Sequence, residues 1–336
     1  MPFLKDDEHI LLMNSNQRMF KIWATDFVYV PTLEDRIALR EMGIQTAFEY
    51  PNWSYCEPTQ GMYELSWFDN IISLNRKAGM KTIFTVCETG KPAWMPDEWF
   101  GKQADGKIDR AYLSIWNDEA KEHTKKYYDV LLDEYSADDV LFIFGEYSDG
   151  EAALPVAPSF YDVAALESYK AKYGTSELPD INKADTGLWV RENVVKHFLY
   201  LADIFYPQHK ELWNMQQLLM NRWSPATGNF AQKEILRTFR ELYPDLNLVL
   251  LQYTYYDSAH GNWNDMYVKE LQSEFDCDVI VEAHFCDGLA ETTPKSIERK
   301  FRGQIICPTH PQSGKKSLTP SMMMQIKAAC DLWRNK

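Results

Sequence analysis

Three glutamates close an apolar run of this sequence or follow one closely, and they are the residues best suited to chemistry. The run Val-Leu-Phe-Ile-Phe-Gly leads into Glu146, and Glu151 follows in Ser-Asp-Gly-Glu-Ala. A second run, Asp-Val-Ile-Val, ends in Glu282. Burying a carboxylate there is unfavourable unless its charge is paired or used. We therefore treat Glu146, Glu151 and Glu282 as catalytic candidates. The alternative is a structural ion pair for the two strand-end residues and a solvated loop position for Glu151.

Two carboxyl groups that face each other across a cleft can hydrolyse a glycosidic bond. One carboxylic acid protonates the departing oxygen, and the other carboxylate attacks the anomeric carbon. The acid has to keep its proton near neutral pH, through burial or a neighbouring charge, while hydrogen bonds keep the nucleophile ionised. At this stage the chemistry does not decide which of Glu146, Glu151 and Glu282 takes which role. A separation of about 5–5.5 Å would mean retention, and roughly 6.5–9.5 Å would mean inversion.

Short apolar runs alternate with amphipathic helical stretches, and this alternation predicts the elements that position the glutamates. A first helix is entered at Thr32 and stopped by Gly43, and Thr319 caps the last one. The predicted strands are Phe20–Val30, Ile44–Tyr50, Lys81–Val86, Val140–Tyr147, Glu211–Leu218, Leu248–Tyr253, Asp278–Ala283 and Gly303–Cys307.

Parallel strands need crossover connections, and eight such repeats along the whole chain favour a closed barrel over an open sheet. No glycine-rich phosphate-binding motif follows the first strand, which argues against a dinucleotide-binding sheet. The predicted fold is α/β, a single (β/α)8 TIM barrel over residues 1–336. An insertion after strand four covers about residues 148–186 and contains a short helix, Asp162–Tyr173. The active site of such a barrel lies at the carboxyl ends of its strands, where Glu146 and Glu282 fall.

Aromatic and polar residues near the same strand ends are predicted to bind a sugar. The chain is 14% aromatic, with 11 Trp and 19 Tyr, and sugar rings stack on aromatic faces. A large aromatic core is the alternative explanation, as is a structural role for each histidine. The proposed stacking residues are Trp53, Trp94, Tyr147, Trp213 and Tyr253, and the proposed hydroxyl-binding residues are Asn214, Gln216, Gln252, His284 and His310.

Charge and composition disfavour several other classes of protein. A net charge of −14 repels nucleic acid and anionic lipid. No stretch approaches the roughly 18 apolar residues of a membrane span, and the first residues lack the apolar core of a signal peptide, so a cytoplasmic protein is expected. The six cysteines are scattered and the histidines show no HExxH or HxH spacing, so neither a metal nor a cofactor is predicted. The sequence leaves the oligomeric state open.

One segment carries a motif of a known family. It reads Trp53-Ser-Tyr-Cys-Glu57-Pro58-Thr-Gln-Gly61-Met-Tyr63, and Lys91-Pro92-Ala93-Trp94-Met95 follows. It resembles the W-x-x-x-E-P-x-x-G-x-Y and P-P-A-W-L patterns of the bacterial β-galactosidases in clan A of the glycoside hydrolases. Residues 161–174 also resemble the insertion after strand four of those enzymes. The resemblance implies a (β/α)8 barrel whose acid/base falls on Glu146 and whose nucleophile falls on Glu282.

One departure from the clan pattern keeps two assignments open. Gly145 stands where the clan has an asparagine that binds the sugar 2-hydroxyl. The run Gly150-Glu151-Ala-Ala-Leu-Pro155 instead resembles the G-E-x-x-x-P pattern of β-amylase-like barrels, in which Glu151 would donate the proton and the enzyme would invert. The main hypothesis is a retaining glycosidase acting on a neutral glycan. The alternatives are an inverting β-amylase-like hydrolase and a carbohydrate-binding barrel without activity.

Overall fold

The computed structural model describes most of the chain. The described residues are 10–14, 31–49, 51–86, 90–135, 140–144, 159–180, 182–207, 213–217, 229–253, 265–283, 288–306 and 318–336. Within them, strands 10–14 and 213–217 and the strand ends 252–253 and 282–283 are described by their backbone alone.

Eight of the described strands close into a barrel. In chain order the strands are β1 (Ile10–Asn14), β2 (Thr46–Glu49), β3 (Lys81–Val86), β4 (Phe100–Lys102), β5 (Ile108–Leu113), β6 (Val140–Phe144), β7 (Trp213–Gln217), β8 (Asn247–Tyr253), β9 (Asp278–Ala283) and β10 (Gly303–Ile306). Around the barrel they run β1, β2, β3, β6, β7, β8, β9 and β10, which pairs again with β1. Every barrel pair is parallel. The predicted TIM-barrel-like fold is therefore confirmed, and β6 and β9 are its fourth and seventh barrel strands.

Helices follow the barrel strands and surround them. They are α1 (Leu33–Met42), α2 (Trp53–Cys56), α3 (Ser66–Lys77), α4 (Asp118–Glu134), α5 (Val163–Tyr173), α6 (Ala184–Phe205), α7 (Asn229–Leu242), α8 (Asp265–Phe275), α9 (Leu289–Glu298) and α10 (Pro320–Arg334). The Thr32 side chain and Asp35 form a reciprocal capping box at the start of α1. Gly43 ends α1 with a φ of 118°, a conformation that glycine adopts readily. None of the helices in the described ranges has the length and apolarity needed to cross a bilayer.

Strand side chains alternate between two separate cores. Inside the barrel lie Phe48, Ile83, Leu141, Ile143, Val249, Leu251, Ile280 and Ile305. The neighbouring strand residues pack outward with the helices. Phe142 and Phe144 lie against Phe205 of α6, and Leu250 and Val281 belong to the same cluster. This alternation identifies which strand positions share a face with the barrel interior.

The prediction of the first barrel strand is wrong. The strand that pairs with both β10 and β2 is Ile10–Asn14, where Leu12 is aligned with Ile305 and with Thr46. The predicted segment Phe20–Val30 lies outside the described residues. Two apolar runs stand near the start of the chain, and a buried barrel strand needs only about five residues. Periodicity along the chain therefore could not decide which run pairs with β2 and β10.

The loop after β3 contains structure that the sequence did not indicate. A short 3-10 helix, Asp97–Trp99, leads into the antiparallel hairpin β4–β5. The hairpin packs on the segment that begins α5: Lys102 bridges Phe160, and the Tyr161 N–H donates to the Lys102 carbonyl at 2.9 Å. The helix α5 confirms the short predicted helix. The extent of the insertion stays a prediction, because residues 145–158 lie outside the described ranges.

Three of the six cysteines are core residues. Cys56, Cys277 and Cys330 are buried, and burial raises the pKa of each thiol to about 12. Such thiols are unreactive near neutral pH. The other three cysteines lie outside the described residues.

Candidate active site

The barrel brings the ends of the fourth and seventh strands to the same mouth. Going round the sheet, β6 is separated from β9 by β7 and β8. The strand β6 ends at Phe144, and Glu146, Tyr147 and Glu151 lie outside the described residues. Position 282 lies near the end of β9, aligned with Tyr253 of β8 and Ile305 of β10. The strand ends are therefore arranged as predicted, while the catalytic roles of the glutamates stay predictions.

Register divides the other predicted strand-end residues between the two faces of the sheet. Trp213 is aligned with the interior residue Ile143. Positions 253 and 282 each follow an interior residue, Leu251 or Ile280, by two places and so share its face. Asn214, Gln216 and Gln252 are aligned with Leu248, Leu250 and Val281, which belong to the helix-facing core. The barrel thus brings positions 213, 253 and 282 to the interior face and positions 214, 216 and 252 to the other.

Glu49, which closes β2, is a strand-end carboxylate whose partners are fully described. It follows the interior residue Phe48 by one place, and its buried carboxylate meets Arg36 Nη1 at 3.3 Å. The side-chain amide of Asn75 donates to the same oxygen at 3.2 Å. Arg36 also donates to Asn75 and to the Pro31 carbonyl. Glu49 is therefore a structural ion-pair residue between the barrel and helices α1 and α3.

Trp53 is buried, contrary to its predicted role as a stacking wall. Its side chain is 0% exposed, and its ring stacks on Tyr127 with 4.5 Å between ring centroids. The indole N–H donates to Glu57 Oε2 at 2.7 Å. A ring with no exposed surface cannot stack on a sugar, so Trp53 is a packing residue in this arrangement.

The carboxylate of Glu57 explains the motif that surrounds it. Glu57 is fully buried and accepts hydrogen bonds from the Trp53 indole and from the Gly61 N–H at 2.7 Å. His123 Nε2, on α4, lies 3.0 Å from Glu57 Oε1. Burial, together with the neighbouring Glu57 carboxylate, raises the pKa of Tyr63 to about 12. The spacing of Trp53, Glu57, Gly61 and Tyr63 in the motif is thus the spacing of a carboxylate and its donors. The site predicted from the sequence omitted Glu57 and His123.

Trp94 is the one predicted stacking residue whose side chain is described and partly exposed. Its indole N–H donates to the Glu57 carbonyl at 2.9 Å. His284 and His310 lie outside the described residues. Within the described part of the chain, no group of His, Cys, Asp and Glu side chains could hold a metal ion.

The fold and the strand-end positions define a (β/α)8-barrel protein. Residues 31–144 match the family model described as beta-galactosidase, glycoside hydrolase family 42. This segment contains the Glu57 motif and runs from α1 to the end of β6, so it stops just before Glu146. The match confirms the resemblance to the clan A β-galactosidases that the motif implied.

Two solved structures share the fold over nearly the whole chain. A beta-galactosidase from the psychrophilic Marinomonas ef1 has a TM-score of 0.67 and 14% identity, and the alignment covers 96% of this chain and 59% of that one. A polyextremophilic beta-galactosidase from the Antarctic haloarchaeon Halorubrum lacusprofundi has a TM-score of 0.63 and 13% identity, with 98% and 58% covered. The chain therefore spans less than two thirds of the length of either protein. No curated protein matches the sequence.

Proposed function

We propose that the protein is a glycosidase that hydrolyses O-glycosidic bonds of a neutral glycan with retention of configuration. Glu282 is the nucleophile, and Glu146 or Glu151 is the acid/base. The observation that carries the proposal is the position of residue 282 at the carboxyl end of β9, on the interior face of the barrel and aligned with Tyr253. The family match over residues 31–144 supports the class of reaction.

The reaction follows from two carboxyl groups at one barrel mouth. In the first step the Glu282 carboxylate forms a bond to the anomeric carbon while the bond to the leaving oxygen breaks, and the acid/base gives that oxygen its proton. In the second step the acid/base, now ionised, takes a proton from water, and that water displaces Glu282. The interior residues below and beside position 282 are apolar: Leu251 and Ile280 precede it in the barrel, and Ile305 is its neighbour on β10. An apolar floor strengthens the electrostatic interactions of charges placed above it.

The acid/base is assigned to Glu146 first. It follows β6 closely, and in the clan pattern the acid/base lies at the end of the fourth barrel strand. Glu151 is the acid under the β-amylase-like pattern, which has the larger carboxylate separation of an inverting enzyme.

The substrate-binding surface is proposed from the face that each position occupies. Tyr253 is aligned with position 282 on the interior face, so it comes first as a sugar-stacking residue. Trp213 shares that face but is the first residue of β7, at the amino end of the strand, so it ranks below Tyr253. Tyr147, His284 and His310 remain in the proposal on their sequence positions. Asn214, Gln216 and Gln252 rank below them, because register aligns them with helix-facing residues. The net charge of −14 favours a neutral carbohydrate over an anionic one.

The test compares Glu282→Ala, Glu146→Ala and Glu151→Ala with aryl glycosides, with and without azide. We expect Glu282→Ala to lose about 10⁴-fold or more in kcat, and azide to restore turnover with a glycosyl azide of inverted configuration. The acid/base variant should instead keep activity on substrates with good leaving groups and give a glycosyl azide of retained configuration. Glu291→Ala is the control, because this exposed glutamate pairs only with Lys295 at its own helix surface in the described contacts. Undiminished hydrolysis by Glu282→Ala would rule out the nucleophile assignment. A sugar product of inverted configuration would rule out the retaining mechanism and support the β-amylase-like one.

A carbohydrate-binding barrel without activity is the second candidate, and Gly145 favours it. The clan asparagine that binds the 2-hydroxyl is replaced by a residue with no side chain. Calorimetric binding of sugars without turnover across a broad panel of glycosides would support this candidate, and hydrolysis of any of them would exclude it.

A further inference from the structure

The proposed reaction makes no use of the buried Glu57 carboxylate and the groups that surround it. We use the name Glu57 cluster for this carboxylate and the residues around it, which are Trp53, Glu57, Gly61, Tyr63, Trp94 and His123. The cluster joins three separate segments at the carboxyl end of the barrel: the loop after β2, the loop after β3 and the first turns of α4. It therefore fixes two barrel loops relative to one outer helix.

The cluster requires a carboxylate at its centre. The groups facing the Glu57 side chain are the Trp53 N–H, the Gly61 N–H, the Tyr63 hydroxyl and His123 Nε2. An ionised carboxylate only accepts hydrogen bonds and has room for about four. A glutamine in its place would turn an NH₂ group toward donors, so the substitution keeps the shape but breaks the arrangement.

Trp94 is held from three directions. Its N–H donates to the Glu57 carbonyl at 2.9 Å. Its ring meets His123 edge to face with 4.9 Å between centroids, and it meets Trp99 in the same manner at 6.1 Å. The ring nevertheless stays partly exposed, whereas Trp53 and Trp99 are buried. A partly exposed aromatic ring that is fixed before binding loses little conformational entropy when a flat apolar face packs on it.

We propose that Glu57 and His123 are positioning residues that hold Trp94 as a stacking platform for one sugar ring of an oligosaccharide. The carbohydrate class of the ligand rests on the proposed function. The platform lies on the loop after β3, away from β9, and so acts on a sugar unit beyond the bond that is cleaved. The chemistry recognised is the apolar C–H face of a neutral pyranose.

The test measures binding and turnover separately. Binding of β-linked galacto-oligosaccharides of increasing length is measured by calorimetry, and kcat and KM are measured with an aryl β-galactoside. These sugars are chosen because both solved relatives are beta-galactosidases. The variants are Trp94→Ala, Trp94→Phe, His123→Phe and Glu57→Gln. Glu64→Gln is the matched control, because it makes the same chemical change at an exposed position of the same turn.

We expect Trp94→Ala to weaken oligosaccharide binding about 5- to 10-fold, the size of one aromatic stacking contact. Trp94→Phe keeps a ring but loses the N–H bond to Glu57. It and His123→Phe should give a smaller loss in the same direction. Glu57→Gln should match them, measured at a temperature where the variant is folded, and Glu64→Gln should match the unaltered protein. If Glu57→Gln does not fold, Trp94→Phe and His123→Phe carry the test.

Unchanged oligosaccharide affinity in Trp94→Ala would overturn the platform. A loss in Trp94→Ala that is absent in folded Glu57→Gln, His123→Phe and Trp94→Phe would overturn the positioning role. Oligosaccharide binding without hydrolysis of any glycoside would instead refute the proposed function and leave the platform standing, so the two failures are distinguishable.

Discussion

At the scale of single residues, the face of the strand decides the role of a carboxylate. Glu49 and Glu282 both lie near the end of an apolar barrel strand. Glu49 occupies a helix-facing position, where it pairs with the Arg36 guanidinium and accepts a hydrogen bond from Asn75. Position 282 lies on the interior face, where no helix can supply a partner from outside the barrel. A structural ion pair is therefore the observed outcome at Glu49, and catalysis is the proposed one at Glu282.

Removal of the Glu49 carboxylate should destabilise the fold strongly. Glu49→Ala leaves the buried Arg36 guanidinium without its counter-charge, and breaking a buried pair in this way costs about 3–5 kcal/mol. The free energy of unfolding, from urea denaturation, measures the loss. Replacing both members, with Arg36→Met and Glu49→Leu, should recover most of it, because no buried charge then remains. A Glu49→Ala variant as stable as the unaltered protein would contradict the assigned ion pair.

At the scale of elements, the hairpin β4–β5 ties the loop after the third barrel strand to the start of α5. Gly101 lies against Ser159, and the Ser159 hydroxyl donates to Asp109 at 2.9 Å. The Ser114 hydroxyl donates to Asp162, the residue that caps α5, at 3.0 Å. Burial raises the pKa of the Asp162 carboxyl. The hairpin therefore packs against the described part of the predicted insertion and supports it.

Adding one methyl group to the hairpin should disturb this contact. A Cβ at position 101 would lie 2.4 Å from the Ser159 carbonyl oxygen, so the two segments must move apart. We expect Gly101→Ala to lower the free energy of unfolding by about 1–3 kcal/mol, as overpacking does. Gly288→Ala is the matched control, since its Cβ would meet nothing closer than 3.8 Å. Equal stability of the two variants in denaturant titrations would show that the contact between the hairpin and the start of α5 does not stabilise the fold.

At the scale of the whole molecule, one short strand closes the barrel. The strand β1 pairs with β10 on one side and β2 on the other, so both neighbours would have open edges without it. Unpaired strand edges are sites of aggregation. Closure thus depends on five residues near the start of the chain.

A proline in β1 should test this closure. Leu12 is aligned with Ile305 and Thr46, and a proline there removes an N–H from the ladder. We expect Leu12→Pro to be less stable than Leu12→Ala by about 1–3 kcal/mol, the cost of leaving a buried carbonyl without its donor. Both variants lose the same side chain, so their difference measures the backbone alone. Chemical denaturation gives this difference, and a negligible value would place the closing strand elsewhere.

The sequence by itself predicted the elements with local signals, because those signals are carried by neighbouring residues. Thr32, Asp162 and Thr319 each accept a backbone N–H at the start of a predicted helix, and Gly43 ends the first of them. The alternation of these helices with apolar runs was enough to predict the barrel. The motif around Glu57 was enough to predict the family that residues 31–144 match.

Only the tertiary structure decided which apolar run is the first strand, which strand positions face the interior, and that Trp53 and Glu57 belong to one buried cluster with His123. Strand register, barrel closure and the contact of Glu57 with His123 depend on residues far apart in the chain. Such contacts form when strands from distant segments align, and a shift of one residue exchanges the two faces of a strand. The spacing of residues along the chain therefore identified Glu282 as a strand-end carboxylate, whereas the alignment of β9 with β8 and β10 assigned its position to the barrel interior.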